Sequence, residues 1–155
     1  MKRIAVGLAG ALIAIPASLI GLGVALKLRA RPTREPTGDE VAVSAVFGEQ
    51  KVRNDSETFA GGNSLVYMGA AEIDLTDATP DVLGAHLDVR TIFGATEIYV
   101  PEGWRVSVRS NVIAGDVENL AAGHGLPDDA PELEIDALTI CGSLEVISGP
   151  RGGVP

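Results

Sequence analysis

The sequence predicts an all-β domain, a parallel β-helix of about five coils, after one N-terminal transmembrane helix. Three observations predict this arrangement: an uncharged apolar run at residues 4–26, a glycine-centred pattern that recurs from residue 41 onward, and alternating β-branched and polar residues around each glycine. Alternation with a period of two is typical of strands, and repeats of twenty-odd residues are typical of stacked solenoid units.

The apolar run at residues 4–26 follows a basic flank at residues 1–3. As a helix it would be ~34 Å long at ~1.5 Å per residue, which suffices for a hydrocarbon core of ~30 Å. A cleaved signal peptide is the alternative, but its apolar region is usually shorter, and the basic residues after Leu26 are a poor cleavage context. We therefore expect a single-pass protein of the cell membrane, held in the lipid bilayer by a retained anchor.

Charge divides the chain at its linker, a basic and then polar stretch at residues 27–40. Residues 1–35 carry six basic side chains and one acid, whereas residues 36–155 carry six basic side chains and twenty acids, a net charge of −14. A domain of that charge repels phosphate backbones, so we expect no nucleic-acid binding. The positive charges beside the span favour a cytoplasmic β-domain by the positive-inside rule, although they leave the orientation open.

Each repeat begins with a run in which apolar residues alternate with others, and it continues with a bulky residue and a glycine. A charged residue follows three positions after the glycine, and an aliphatic residue follows four positions after it. Five instances fill the predicted β-domain at residues 41–148, and residues 149–155 form a tail. The aligned glycines are Gly48, Gly69, Gly94, Gly115 and Gly142, with separations of 21, 25, 21 and 27 residues. A glycine here lets the chain bend sharply or lets neighbouring backbones approach closely. A hairpin meander and a sandwich are the alternatives, but the Asn-Gly and Asp-Gly turns typical of hairpins are absent.

Parallel stacking of these units has specific consequences. The residues two before each glycine should form one column, made of Val46, Tyr67, Ile92, Ile113 and Ile140. The residues three after it should form an outward ladder of mostly like charges, made of Lys51, Glu72, Glu97, Glu118 and Glu145. Asn119 takes a place that is aliphatic in the other repeats, so it should either find a backbone partner or be swung outward by a bulge. Long insertions at residues 76–86 and 120–132 fall between units.

Residues 45–48, 91–98 and 100–108, the last with a Pro-x-Gly-Trp turn, resemble the C-terminal domain of the LiaF family, also called the toastrack domain. The resemblance covers about residues 41–148. It implies a short, single-stranded, right-handed β-helix. It also implies a role in bacterial envelope-stress sensing, in which a membrane-anchored domain modulates a signalling kinase or another membrane protein. The chain departs from the family pattern where the usual second glycine is replaced, at Glu49, Ala70, Ala95, Asp116 and Ser143, and it has one predicted span where LiaF proteins proper have several.

The residue types that most often perform catalysis have structural interpretations here. Cys141 takes the place held by Phe47 and Met68 in other repeats, so we expect a buried apolar role for it. His86 and His124 lie in irregular stretches without a Cys or acid cluster at zinc-ligand spacing, and we expect both to be surface loop residues. Neither a nucleophile-elbow motif nor a phosphate-binding loop is present. We therefore expect a protein that is not an enzyme and has no catalytic residues, metal or cofactor.

Recognition is expected at the insertion of residues 120–132, because loops on a rigid scaffold often carry binding residues. Its acids Asp128, Asp129 and Glu132 are candidate contacts for a basic protein partner, and Trp104 is either a partner anchor or the cover of a solenoid corner. The alternative function is a structural scaffold that self-assembles end to end, as the bactofilins do, which leaves a homo-oligomer open. Residues 148–155 should cover one end of the stack and so disfavour polymerisation.

Overall fold

The computed structural model describes residues 38–121, 123 and 125–149. These residues form eight strands, namely β1 (Glu40–Val46), β2 (Glu49–Arg53), β3 (Gly61–Tyr67), β4 (Ala70–Asp74), β5 (Ala85–Ile92), β6 (Ala95–Val100), β7 (Arg105–Asn119) and β8 (Glu132–Ser148). The predicted flank at 1–3, the anchor at 4–26, most of the linker at 27–40, His124 and nearly all of the tail at 149–155 lie outside the described residues. Within the described part, no helix is long and apolar enough to cross a membrane.

The strands pair in parallel throughout, in a solenoid-like arrangement. Each repeat contributes one layer with two halves, one on either side of its glycine; β7 and β8 are each long enough to supply both halves of their layer. The inward side chains of the two halves form an aliphatic core, which includes Val43, Ile73, Leu87, Ile98, Leu133, Ile135 and Val146. The predicted all-β, parallel, repeat-based fold is therefore confirmed.

The layers do not follow the order of the chain. β8 pairs with β5 and β6 on one side and with β7 on the other, so the fifth repeat lies between the third and the fourth. β7 is consequently an outermost strand. Of residues 148–155, expected to cover one end of the stack, only the first two lie within the described residues, and they follow β8, an interior layer.

Four of the five residues predicted to form one column do so, because Val46, Tyr67, Ile92 and Ile140 are direct register partners. The prediction is wrong for Ile113. β7 contains a bulge between Val112 and Gly115, where Ala114 pairs with Ile140, and this extra residue leaves Ile113 unpaired and 69% exposed.

The other two register predictions are confirmed. The charged ladder runs across the layers in the order Lys51, Glu72, Glu97, Glu145 and Glu118. Lys51 lies at one end of it and pairs with Glu72 at 3.1 Å and with Glu49 at 3.0 Å, and both contacts raise the pKa of Lys51. Asn119 finds backbone partners, since its Nδ2 donates to the Val106 carbonyl and its Oδ1 accepts from the Ala121 N–H, both at 3.1 Å.

The repeat glycines allow adjacent layers to approach closely. A Cβ added to Gly69, Gly94 or Gly142 would overlap the carbonyl of the glycine in the preceding layer, whereas one added to Gly48, in an end layer, would meet nothing. Gly115 lies beside Gly142 and has a φ of 127°. The structural role predicted for the glycines thus has a direct steric cause.

The sharp bend falls on the residue before the glycine in four repeats. Phe47, Met68, Phe93 and Cys141 all have φ between 51° and 53°. This left-handed backbone turns their side chains outward at the corner of each layer, where they form a partly exposed apolar row. Cys141 is exposed, so the predicted buried role for this residue is wrong.

Candidate partner-binding site

The two insertions that interrupt the repeats lie side by side. Residues 79–84, which precede β5, and residues 129–132, which lead into β8, line one groove of about 460 Å³. They meet because β5 and β8 are adjacent parallel strands, so the connections that enter them reach the same edge of the sheet. A groove between two loops on a rigid sheet is a usual place for recognition.

The first wall of the groove, residues 79–84, presents two aliphatic side chains to solvent. Val82 is 99% exposed and Leu83 is 94% exposed. Asp81 holds this tip in a turn, because its Oδ1 accepts from the Leu83 N–H and its carbonyl accepts from the Gly84 N–H, both at 2.9 Å. The two apolar side chains are therefore displayed by an ordered turn.

The base of the first wall is fixed to the core. Leu75 and Ala78 are buried, and the Phe59 N–H donates to the Thr79 carbonyl at 2.8 Å. The Asp81 N–H in turn donates to the Phe59 carbonyl at 2.9 Å. These contacts limit the motion of the loop beneath its exposed tip.

The second wall of the groove, residues 129–132, is fixed to the start of β7. The Arg105 N–H donates to the Pro131 carbonyl at 2.7 Å, and its guanidinium donates to the Pro127 carbonyl at 2.8 Å. The Arg105 guanidinium thus makes its hydrogen bond to the loop backbone. The Ala130 N–H closes the turn onto the Pro127 carbonyl at 3.1 Å.

The groove has a one-sided charge. Asp81, Asp129 and Glu132 line it, and no lysine or arginine does so among the described residues. Asp129 and Glu132 are exposed and have no ion-pair partner in the part of the chain that the structure describes. A surface that combines aliphatic tips with uncompensated carboxylates favours a partner that offers an apolar contact flanked by basic side chains.

The four residues proposed from sequence as partner contacts occupy different environments. Asp129 and Glu132 line the groove, whereas Asp128 is exposed beside it and outside its lining. Trp104 is only 5% exposed, and its ring stacks on Phe59 with centroids 6.3 Å apart. This position matches the alternative in which Trp104 covers a corner of the solenoid.

His86 lies in β5, so the prediction that it belongs to a loop is wrong, although its side chain is half exposed as expected. Its ring nitrogens are 3.9 Å from a Glu134 carboxylate oxygen and 3.6 Å from one of Asp136. No group of three or more potential metal ligands occurs among the described residues. The cluster is a set of polar neighbours on the outer face of the sheet.

Val82 and Leu83 are the site residues that sequence reasoning missed. They lie within the insertion at residues 76–86, outside the repeat frame, and the alternation argument assigns them neither to the core nor to a face. The available signal was two adjacent aliphatic residues between Asp81 and Gly84, where a turn exposes both.

The comparisons with known proteins give one family. Residues 46–126, more than half of the chain, match the family described as cell wall-active antibiotics response LiaF, C-terminal. No curated protein and no solved structure matches the chain. The family is a non-enzymatic regulatory one of the envelope-stress response, and its proteins are membrane-associated. The stacked repeat glycines and the Pro-x-Gly-Trp turn are consistent with this match. The chain therefore belongs to the LiaF-like C-terminal domain family.

Proposed function

We propose that this domain acts in an envelope-stress response by binding a basic segment of a signalling partner in the groove between residues 79–84 and 129–132. The observation that carries the proposal is the display of Val82 and Leu83, fully exposed on an ordered turn, beside the exposed carboxylates of Asp129 and Glu132. Exposed aliphatic pairs cost solvation free energy in an isolated domain, and burial against a partner recovers it.

The predicted anchor at residues 4–26 completes the proposal. Tethering confines the domain and a membrane-bound partner to the same plane, which raises the effective concentration and makes a weak intrinsic affinity sufficient. The charge pattern favours a cytoplasmic domain. Protease treatment of sealed cells tests this placement: the β-domain should survive external protease, and its digestion would reverse the orientation.

Co-purification from membranes tests the groove. We expect the intact chain to recover a partner that is lost from the Val82→Ser/Leu83→Ser variant and reduced in the Asp129→Ser/Glu132→Ser variant. Recovery by the intact chain should fall as salt rises, because the charged contacts are exposed and therefore screened. The matched control is Asp55→Ser/Glu57→Ser, which removes two exposed acids from a loop outside the groove.

The control separates a local site from a general effect of the acidic domain. If the control variant loses the partner as strongly as the groove variants do, net charge alone explains binding. If all variants recover the same proteins in equal amounts, the groove is not the binding site. A turnover activity of the purified chain would contradict the prediction that this domain is not an enzyme.

A further inference from the structure

β7 has an edge with no neighbouring strand among the described residues. Only its start is covered, because the Val106 carbonyl accepts from the Asn119 amide and both Val106 and Ala121 are buried. β7 pairs with β8 from Arg105 to Asn119, and no other strand of the described residues pairs with it. One side of this strand therefore presents N–H and C=O groups that have no ladder partner. Neither lysine nor proline, the residues that most often block such edges, occurs between Arg105 and Asn119.

The same edge exposes apolar side chains. Val112 is 39% exposed, Ile113 69% and Leu120 61%, and Val108 and Val117 are half-buried. In the interior layers, the positions that correspond to Val108 and Val117 are covered by the next layer, as Ile135 and Leu144 are. Apart from the bulge between Val112 and Gly115, the inward positions of β7 beyond Val106 thus correspond to those of an interior layer but have no covering layer.

The charge of this edge differs between its two halves. In the amino-terminal half, the Arg109 guanidinium pairs with Glu134. In the carboxyl-terminal half, Asp116 and Glu118 are exposed, and Glu118 continues the ladder through Glu145 and Glu97. The cation of that ladder, Lys51, lies at the opposite end. Asp116 and Glu118 therefore form an acidic row at the edge without a basic neighbour in the ladder.

We propose that β7 accepts an extended segment of a partner protein as an additional strand. The segment should bend at the corner beside Gly115, as the interior layers do at theirs. It should alternate apolar side chains, which cover Val108, Val112 and Val117, with lysine or arginine side chains that face Asp116 and Glu118. Main-chain hydrogen bonds would supply affinity, and the alternate side chains would supply specificity, as in other cases of strand addition. This surface is separate from the loop groove, so the proposal stands independently of it.

A second copy of the chain fits the edge less well. It would present the same acidic row, and the −14 charge of residues 36–155 opposes its approach. At the other end of the stack, the inward side chains of β1, Val41, Val43 and Ala45, are buried, so that end does not offer a matching apolar surface. A basic extended segment satisfies the charge, the apolar side chains and the free backbone together.

A suitable probe for the full-length chain in detergent solution is a synthetic peptide in which every second residue is valine, the residues between are threonine or lysine, and a central glycine allows the bend beside Gly115. We expect it to bind, and to slow backbone hydrogen exchange at residues 107–119. The Asp116→Asn/Glu118→Gln variant should weaken binding about tenfold, a change of ~1.4 kcal/mol, whereas Asp55→Asn/Glu57→Gln should leave it unchanged. The same peptide with alternate backbone nitrogens methylated keeps its charge but cannot pair with the edge, so its binding should be lost.

Each contrary result would overturn the proposal. Equal binding of the methylated peptide would show that charge alone is responsible. Equal losses in the two acid variants would show that the site is not local. Slowed exchange at residues 79–84 instead of 107–119 would assign the peptide to the groove. Concentration-dependent dimerisation of the chain alone, with the same slowed exchange in β7, would assign the edge to a second copy.

Discussion

At the scale of single residues, the glycines at the layer corners determine how closely the layers approach. Each interior glycine lies directly against the carbonyl of the glycine in the preceding layer. The following residue then donates to that carbonyl, as Ala95 does to Gly69 at 3.1 Å and Ser143 does to Gly94 at 3.0 Å. The absence of a side chain thus permits a hydrogen bond that would otherwise be blocked.

Gly94 and Gly48 provide a matched pair for testing this steric role. Gly94→Ala should lower the free energy of unfolding by about 1–3 kcal/mol, since the new methyl group would overlap the Gly69 carbonyl and a Val66 methyl group. Gly48→Ala should change it by less than about 0.5 kcal/mol, because nothing lies near its Cβ position. Urea denaturation of both variants measures the difference, and equal values would contradict the close approach of the layers.

Cys141 tests the outward direction of the corner residues. We expect a maleimide reagent to label Cys141 rapidly in the folded chain, because its left-handed backbone places the thiol at the surface. The control is Thr139→Cys in a Cys141→Ser background, where the thiol replaces a buried side chain two residues away. Slow labelling at both positions would mean that the corner is covered.

Asp39 links stability to acid pH at the start of β1. Its Oδ1 accepts hydrogen bonds from the Thr58 hydroxyl at 2.7 Å and the Ser56 hydroxyl at 2.8 Å, and these bonds lower its pKa below the ordinary 3.8. The stabilisation is present above the unfolded-state pKa and is lost as the pH falls through the lower, folded-state pKa. We expect Asp39→Asn to be less stable than the parent near neutral pH and the two to converge in strong acid. Urea midpoints measured across this range test it, and a constant difference would rule out the linkage.

At the scale of elements, β7 departs most from the repeat, and Asn119 compensates for this departure. Asn119 joins the two ends of β7 by its hydrogen bond to the Val106 carbonyl, and it also receives the Ala121 N–H. β7 also contains the bulge that leaves Ile113 unpaired. At its corner, Gly115 has the positive φ, whereas in the other repeats the residue before the glycine has it. Repeat four is therefore adapted to the end of a stack.

Restoring the aliphatic consensus at residue 119 should be harmful. Asn119→Val is expected to lower the free energy of unfolding by about 1–3 kcal/mol, because two backbone groups lose their side-chain partner. Asn111→Val, on an exposed face of the same strand, should stay within about 0.5 kcal/mol. Thermal denaturation of the two variants compares them, and a stabilised Asn119→Val chain would show that the hydrogen bonds contribute little.

The strands and their register could be predicted from sequence, but their order could not. The position of each glycine and its flanking alternation determine the layers and place Glu72, Glu97 and Glu145 in one ladder. Backbone pairing is the same whichever layer is adjacent, so no local pattern tells β7 from β8 as the neighbour of β5. The connection from β6 to β7 is long enough for β8 to lie between them. Residues 101–104 can span ~13 Å, which exceeds the ~9.6 Å of two strand spacings.

The candidate site was predictable only in part for a related reason. Asp129 and Glu132 stand out by charge within an insertion, and the sequence directs attention to them. Their approach to Val82 and Leu83 depends on β5 and β8 being neighbours, which is a property of the layer order. A site formed by two insertions therefore becomes visible only when that order is known.

At the scale of the whole molecule, β8 connects otherwise separate parts. It is the sole strand partner of β7 among the described residues, and it also joins the layer of β5 and β6. A chain that ends at residue 131 should therefore lose far more than one layer, because β7 would have no ladder to join. We expect this truncated chain to lack the cooperative unfolding transition of the full chain, as followed by circular dichroism.

Complementation distinguishes a missing layer from a general folding defect. Adding a peptide of residues 132–149 to the chain truncated at residue 131 should restore the β-sheet signal. Cleaving the intact protein between residues 127 and 130, with both fragments retained, should leave that signal unchanged. Independent folding of the truncated chain would contradict the central position of β8.

The interior position of the last strand also constrains how such a domain can lengthen by duplication. A repeat inserted ahead of Glu40 would be adjacent to the side of β1 on which no described strand pairs, and the stack would grow by one layer. A repeat appended after Ser148 would start from the middle of the stack and would have to pass the layer of β7 before reaching an open side. Tandem duplication should therefore be tolerated at the amino-terminal side, and homologues with extra layers should differ in length before the first repeat.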